Sequence, residues 1–302
     1  MDLGYSIFKG LVQGLTEFLP ISSTAHLTFT QAIFSKFNWI PPLGHGEDEF
    51  FDILLHLGTL VSVLYYFRSD LLNLLAVFTG KADPELTDSQ SGLILKKLPF
   101  FIAISTVVTV VFILSMQKLS GLIMTQLGMT TATVHDLSDY YFAHPHWVGI
   151  HLIITGCLLF FSERAAKHLE QGSTGKLFAV NNAVWIGLLQ GCAAIFHGVS
   201  RSGSTISAAL ATGIDRTTAT RYTFLLSIPV FMMAAVYEGL KMIQLGALDD
   251  LNWPVMLVGT AVSAIVGYFC VKYLIQFVAN NSLFGFSVYC WVLGATMYVF
   301  LR

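Results

Sequence analysis

"EFLPISSTAH" (residues 17–26) places a carboxylate, two serines, a threonine and a histidine around Pro20, inside sequence that is otherwise apolar. The region it interrupts, about 3–35, resembles a membrane helix that stops and restarts. A second region, about 180–214, breaks in the same way at "HGVSRSGST" (197–205). Irregular backbone at membrane depth is tolerated only where it is buried in protein or lines a wet cavity. Both regions are therefore expected to be re-entrant helix–turn–helix hairpins.

The surrounding composition sets the class. Of 302 residues, 55% are hydrophobic and only 11% charged, against about 25% charged in an ordinary soluble domain. Mean hydropathy is +0.69. A formal net charge of −2 offers nothing to nucleic acid. "MDLGYSIFKG" lacks the basic start of a cleavable signal. Cys157, Cys192, Cys270 and Cys290 lie scattered in apolar segments without CxxC spacing, so they read as buried free thiols.

Six further stretches approach the roughly 20 apolar residues of a spanning helix: 51–67, 98–116, 147–162, 222–240, 254–275 and 284–301. The expected fold is an all-α polytopic membrane protein with about six transmembrane helices and two re-entrant hairpins, one integral domain over 1–302. Basic residues follow the positive-inside pattern. Segment 68–97 carries Arg68, Lys81, Lys96 and Lys97, and 117–146 only Lys118, while Lys9 and Lys36 fall on the outer side. "GLVQGLTEFLPISS" (10–23) and "GLLQGCAAIFHGVS" (187–200) share G-L-x-Q-G, then a break, then serines. With three spans between them, the hairpins enter from opposite sides. That predicts inverted-topology repeats over about 1–116 and 177–302, with the binding site at their interface.

The two breaks carry the chemistry. Gln13 and Glu17 are spaced i, i+4, and Ser23 and His26 i, i+3, so each pair shares a helix face. Ser22 reads as the cap of the helix after Pro20. A carboxylate at membrane depth is costly and usually faces a cavity. In the second break, Gly198 and Gly203 flank Ser200, Arg201, Ser202, Ser204 and Thr205 ahead of a helix-forming run. Free amides and hydroxyls there form an anion cradle, and the Arg201 fork suits phosphate oxygens. Arg201 needs an anionic partner, either a ligand or Glu17 in an ion pair joining the hairpins. The combined set suits phosphoryl transfer on a lipid-borne phosphate. Gln13 and Glu17 also suit a hard divalent cation through oxygen ligands.

These residues resemble the undecaprenyl-diphosphate phosphatase family of the bacitracin-resistance type. "QGLTEFLPISSTAHL" matches its (E/Q)xxxE motif and following Ser/His segment, "HGVSRSGST" its PGxSRSxxT motif, and "FDILLHLGTLVSVLYYFR" (51–68) a third block. The resemblance implies hydrolysis of undecaprenyl diphosphate to the monophosphate and inorganic phosphate, recycling the carrier lipid of cell-wall synthesis. It implies a multi-pass protein of the bacterial inner membrane with its site open to the periplasm, dependence on a divalent cation (Mg2+ or Ca2+), and homodimers. Carried over, Gln13 and Glu17 hold the metal or assist a base. Ser23 and His26 are nucleophile and base candidates. Ser22, Ser200, Arg201, Ser202, Gly203 and Thr205 bind the diphosphate. His197 departs from the motif's proline. Attack by Ser23, by His26 or by water stays open.

Other readings compete. A polyprenyl-phosphate flippase would use the same cradle but needs no Ser23/His26/Glu17 constellation. An intramembrane serine hydrolase would leave the arginine–serine cradle idle, and the KxxxxxxRP segment of acid-phosphatase-like lipid phosphatases is missing. "GHGEDEFFD" (44–52) reads as an acidic solvated loop, "HPH" (144–146) with His135 as a proline-stiffened loop, 80–92 as a polar loop, and His56 as a hydrogen-bonding partner within the bundle.

Overall fold

The computed structural model describes residues 2–37, 39, 45–79, 90–126, 144–170, 178–244 and 251–302. Among them the chain is helical throughout, with no strand. The helices are α1 (Leu3–Thr16), α2 (Ser23–Lys36), α3 (His45–Tyr66), α4 (Arg68–Phe78), α5 (Gln90–Gln126), α6 (His146–Glu170), α7 (Val180–Ile195), α8 (Arg201–Ala211), α9 (Arg216–Gln244), α10 (Trp253–Asn280) and α11 (Phe284–Phe300). Most of the polar loop expected at 80–92, and His135, lie outside the described residues.

Four segments among these are long and apolar enough to cross a membrane: Lys97–Leu119, His146–His168, Arg216–Lys241 and Trp253–Asn280. A fifth span is available if Phe50–Tyr66 and Arg68–Ala76, bent by 63°, are taken as one. The sixth expected span coincides with α11, whose 17 residues reach about 25 Å at 1.5 Å per residue. Val107, Val236, Ile265 and Val292 leave more than half of their surface open, as lipid-facing side chains do. The chain is a multi-pass membrane protein.

Both breaks are seen as turns between helices that fold back. In the first, α1 ends at Thr16 and Ile21 N donates to Leu19 O at 2.7 Å across Pro20. Ser22, at φ 66°, then caps α2 by accepting from Ala25 N. Tyr5 and Phe8 near the start of α1 meet Phe34 near the end of α2, with ring centroids 5.4 and 5.3 Å apart. In the second, the turn at Phe196–Val199 passes through Gly198 at φ 100°, where a Cβ would also sit 2.6 Å from Val148 O. Only glycine fits there. Phe178, just ahead of α7, meets Tyr222, and Thr205 in α8 meets Thr223. Adjacent residues of α9 therefore touch both arms.

The shared G-L-x-Q-G motif is a packing surface. Gly10 and Gly14 seat α1 on α10, where a Cβ on Gly10 would overlap Gly259 O and one on Gly14 would lie 2.8 Å from Val266 Cβ. Gly187 seats α7 on α5, where a Cβ would lie 2.6 Å from Ser105 O. Small residues let helix backbones approach where water supplies no driving force between helices. Hydroxyls bond across the same seams, Ser6 to Val255 O at 2.6 Å and Ser105 to Ala183 O at 2.7 Å. The glutamines between the glycines, Gln13 and Gln190, turn inward and are buried.

The acidic segment differs from expectation. It belongs to α3, and Asp48 is buried against Lys9 at 2.9 Å, with Asp52 at 2.6 Å from the same amine. Lys9 is wholly buried and is not an outer surface charge. The fold of α1 against α3 removes the amine from water, and two carboxylates replace the lost solvation. All four cysteines are unpaired, and only Cys290 is fully buried. Cys270 and Cys290 donate to Leu15 O and Pro20 O, carbonyls at the first break.

Candidate active site

The two breaks meet. Arg201 Nη2 donates to Glu17 Oε1 at 2.5 Å, and Ser202 Oγ donates to Leu19 O at 3.0 Å. Of the two partners that the sequence offered Arg201, a ligand or Glu17, the ion pair with Glu17 is formed and joins the hairpins. Glu17 Oε2 faces the other way, accepting from Ser23 Oγ at 2.8 Å and from Gln13 Nε2 at 2.9 Å. Both residues are nearly closed off, Glu17 with 4% and Arg201 with 15% of side-chain surface open. Arg201 lies with its guanidinium 4.6 Å from the centre of the Phe231 ring, and its Nη1 is buried without a hydrogen-bond partner.

Each second arm starts at this point. In α8 the first backbone bond runs from Ser204 N to Ser200 O, and Gly203 N is taken by Ser200 Oγ. The amides of Arg201 and Ser202 thus precede intrahelical bonding. In α2 the first such bond runs from His26 N to Ser22 O, and Ser22 Oγ takes Ala25 N. The amides of Ser23 and Thr24 are left in the same position. Two helix N-termini, each carrying partial positive charge, converge beside the Ser23–Glu17–Arg201 line. The positive φ of Ser22 is strain of about 1–3 kcal/mol, of the kind that accumulates at functional sites.

A cavity of about 560 Å³ opens over this line. Its polar end holds Glu17, Ser22, Ser23, His56, Ser200, Arg201 and Ser202. Its other walls are largely apolar, from Val110, Ile113 and Leu114 of α5 and Val230, Met233 and Ala234 of α9. A charged head with a long hydrocarbon tail matches that division.

Four expected site residues stand elsewhere. His26 does not pair with Ser23, because its Nδ1 is 2.7 Å from Ser22 O and its Nε2 2.7 Å from Tyr289 Oη. As the carbonyl can only accept, Nδ1 carries the hydrogen and Nε2 accepts from the tyrosine. Ser23 begins α2 and turns back toward Glu17, so the i, i+3 spacing with His26 does not decide its partner. Thr205 donates to Arg201 O and Ser202 O and meets Thr223, bracing α8 from behind. Gly203 permits the close approach of Ser200 and Thr155, each 3.1 Å from where its Cβ would be. Gln13 lies behind Glu17 and does not line the cavity.

His56, which the sequence places in the bundle as a hydrogen-bonding partner and not in the site, lines the cavity. His56 makes the expected bundle hydrogen bond, Nδ1 to Asp52 O at 2.7 Å, and its Nε2 also lies 3.4 Å from Glu17 Oε2. Its place in the 51–68 block was the available signal.

The residues present suit a hard divalent cation in part. Gln13 Oε1 is a buried acceptor without a partner, next to a carboxylate. Among the described residues no three or more His, Cys, Asp or Glu side chains gather into a metal cluster. The protein's own ligand set is therefore incomplete and all oxygen, as for a cation that shares phosphate and water.

Residues 6–296 match the family described as Bacitracin resistance protein BacA. The chain belongs to this family. It is 34% identical over 295 residues to an undecaprenyl-diphosphatase of Halothermothrix orenii, covering 97% of this chain and 96% of that one. It is 33% identical to an undecaprenyl-diphosphatase of Saccharophagus degradans, with 99% and 98% covered. The figure is 31% for one from Methanobrevibacter smithii, again with 99% and 98% covered. Family membership thus covers both hairpins and every helix that lines the cavity.

Proposed function

We infer that this protein is an enzyme that hydrolyses undecaprenyl diphosphate to undecaprenyl phosphate and inorganic phosphate, with roles in cell-wall carrier recycling and bacitracin resistance that follow from the family. The observation that carries this reading is the Ser23–Glu17–Arg201 line at the polar end of a cavity whose other walls are apolar. A hydroxyl pointed at a carboxylate is a feature that a phosphate carrier does not need, and the relatives are named for the diphosphatase reaction.

The residues divide the work as follows. Oxygens of the terminal phosphoryl group sit on Arg201 Nη1 and on the open amides of α2 and α8. Ser23 Oγ attacks the terminal phosphorus as its proton moves to Glu17 Oε2. The bond to the bridging oxygen breaks, and the lipid monophosphate leaves with that electron pair and the proton from Glu17. Water then attacks the seryl phosphate and gives a proton to Glu17, which returns it to Ser23 Oγ as that oxygen leaves phosphorus. His26 holds the start of α2 through Ser22 O and does not attack. Mg2+ or Ca2+ would be held by Glu17 and Gln13 Oε1, and when bound supplies neutralising charge to the diphosphate. Arg201, the amides and Glu17 do their positioning and proton transfer from the protein side.

The reading extends to a bacterial cytoplasmic membrane with the site open to the periplasmic side, to inverted repeats meeting at the cavity, and to a homodimer. The glycine-seated packing of α1 on α10 and of α7 on α5 supports the repeat. Phosphate release from undecaprenyl diphosphate by purified protein in detergent tests the function. Activity with Mg2+ or Ca2+, lost in Arg201→Ala and Glu17→Ala, is expected. No release with either cation would end the reading.

A further inference from the structure

We propose that the undecaprenyl chain of the substrate runs from the active-site cavity between α5 and α9 into a second cavity, where Ala103 and Ile228 set a preference for a long chain. The proposal rests on the phosphatase reading of the first cavity.

The first cavity is too small for the whole substrate. Its volume of about 560 Å³ suits a drug-sized molecule, and it must hold a diphosphate and the start of a fifty-five-carbon chain. A second cavity of about 470 Å³ lies between α4, α5 and α9. Apart from Asp70 and Thr106, its wall is hydrocarbon from leucine, isoleucine, valine, alanine and proline side chains.

The two cavities share their walls. Along α5, Leu98, Ile102 and Thr106 line the second cavity, and Thr109 and Ile113 the first. Steps of three and four keep these five on one side of the helix, over about 22 Å at 1.5 Å per residue. Along α9, Leu225 and Pro229 line the second cavity, and Met233 and Tyr237 the first, again four apart. One crevice between two helices thus leads from the phosphate site to Asp70. There Asp70 Oδ2 accepts from Arg221 Nη2 at 2.5 Å, and an apolar chain has to stop or turn out into lipid. Val107, in the same wall, is 60% exposed, so the crevice is open along its side. The flank between α3 and α10 is closed instead. A Cβ on Gly58 would overlap Thr260 O, and Ser62 and Ser263 donate across that seam to Ala264 O and Leu55 O at 2.6 and 2.9 Å.

The test compares undecaprenyl diphosphate with farnesyl diphosphate, whose fifteen-carbon chain is short enough to stay in the first cavity. Phosphate release is measured in detergent. Ala103→Trp and Ile228→Trp fill the second cavity. Each is expected to lower kcat/KM for the long substrate, relative to the short one, by about tenfold, mainly through KM. The effect is no larger because detergent already shields a tail from water, and the cavity adds packing alone. Val111→Trp, on an exposed face of α5, is expected to keep the ratio within about twofold of the parent's. A ratio that stays within about twofold in both filled variants overturns the proposal, as does an equal fall in Val111→Trp. A second measurement uses the parent protein and a polyprenyl diphosphate with a photoreactive group in mid-chain. Label is expected in residues 98–107 or 225–229, and label confined to 113–114 or 233–237 overturns the proposal. A parent that releases phosphate from neither diphosphate ends the phosphatase reading and this proposal with it, whereas release with unaltered ratios ends this proposal alone.

Discussion

Arg201 Nη2 and Glu17 Oε1 lie 2.5 Å apart across 184 residues of chain, in surroundings that leave both nearly closed to solvent. This contact locks the two hairpins together and is also the charge centre of the cavity. Removing one partner strands the other. Glu17→Ala or Arg201→Ala is expected to lower stability by about 3–5 kcal/mol. The double change Glu17→Ala with Arg201→Ala is expected to cost less than the sum of the two single changes. Thermal unfolding in detergent measures all three, and strict additivity would contradict the pairing.

Ser23 and His26 should separate cleanly in single-turnover assays. Ser23→Ala is expected to lower phosphate release by about a thousandfold or more, as for loss of a nucleophile. His26→Phe is expected to lose about tenfold or less, because both ring nitrogens already serve Ser22 O and Tyr289 Oη. Tyr289→Phe should resemble it. An acid-stable phosphoryl-enzyme, absent in Ser23→Ala, completes the prediction, whereas an acid-labile one would transfer the role to histidine.

At the second break, His197→Pro is expected to keep activity within about threefold, since Phe196 before it is already extended at φ −95°, ψ 94°, as a residue ahead of proline must be. His197 also offers its carbonyl to His151 Nδ1 at 2.6 Å, which proline retains. The neighbouring change Gly198→Ala should have the opposite result. At φ 100° and 2.6 Å from Val148 O, the added methyl is expected to destabilise the protein by about 2 kcal/mol or more. Activity and Tm of the two variants, side by side, check this.

Lys9 offers a test away from the cavity. Lys9→Met leaves the buried Asp48 without its amine and beside the partly open Asp52, and is expected to cost about 3 kcal/mol. Adding Asp48→Asn should return part of that loss. A Tm for Lys9→Met equal to the parent's would mean that the amine is not buried as described.

The incomplete oxygen ligand set at Glu17 and Gln13 is expected to make activity depend on an added cation. Chelation with EDTA should suppress phosphate release, and Mg2+ or Ca2+ should restore it. Gln13→Leu, which removes the unpartnered Oε1, should raise the cation concentration for half-maximal activity by about tenfold. An unchanged requirement would remove Gln13 from the metal site.

Much of this protein is legible without a fold. Apolar runs of about 20 residues name the membrane class because lipid cannot satisfy exposed backbone. "EFLPISSTAH" and "HGVSRSGST" mark both breaks, since proline, a positive-φ glycine and capping serines act locally. Arg201 demands an anion, and Glu17 was one of the two partners that the sequence offered. Tertiary structure decided the rest. Helical spacing groups residues on one helix, which suggested Ser23 with His26, but the turn at Pro20 aims Ser23 back at Glu17 instead. Lys9 and Asp48 are 39 residues apart, and no local pattern tells that packing of α1 on α3 will bury both. His56 is also 39 residues from Glu17 and reads, by sequence alone, as a hydrogen-bonding partner within the bundle. Its place beside Glu17 depends on α1 and α3 converging, and both are seated by glycines on α10, Gly10 and Gly14 from α1 and Gly58 from α3.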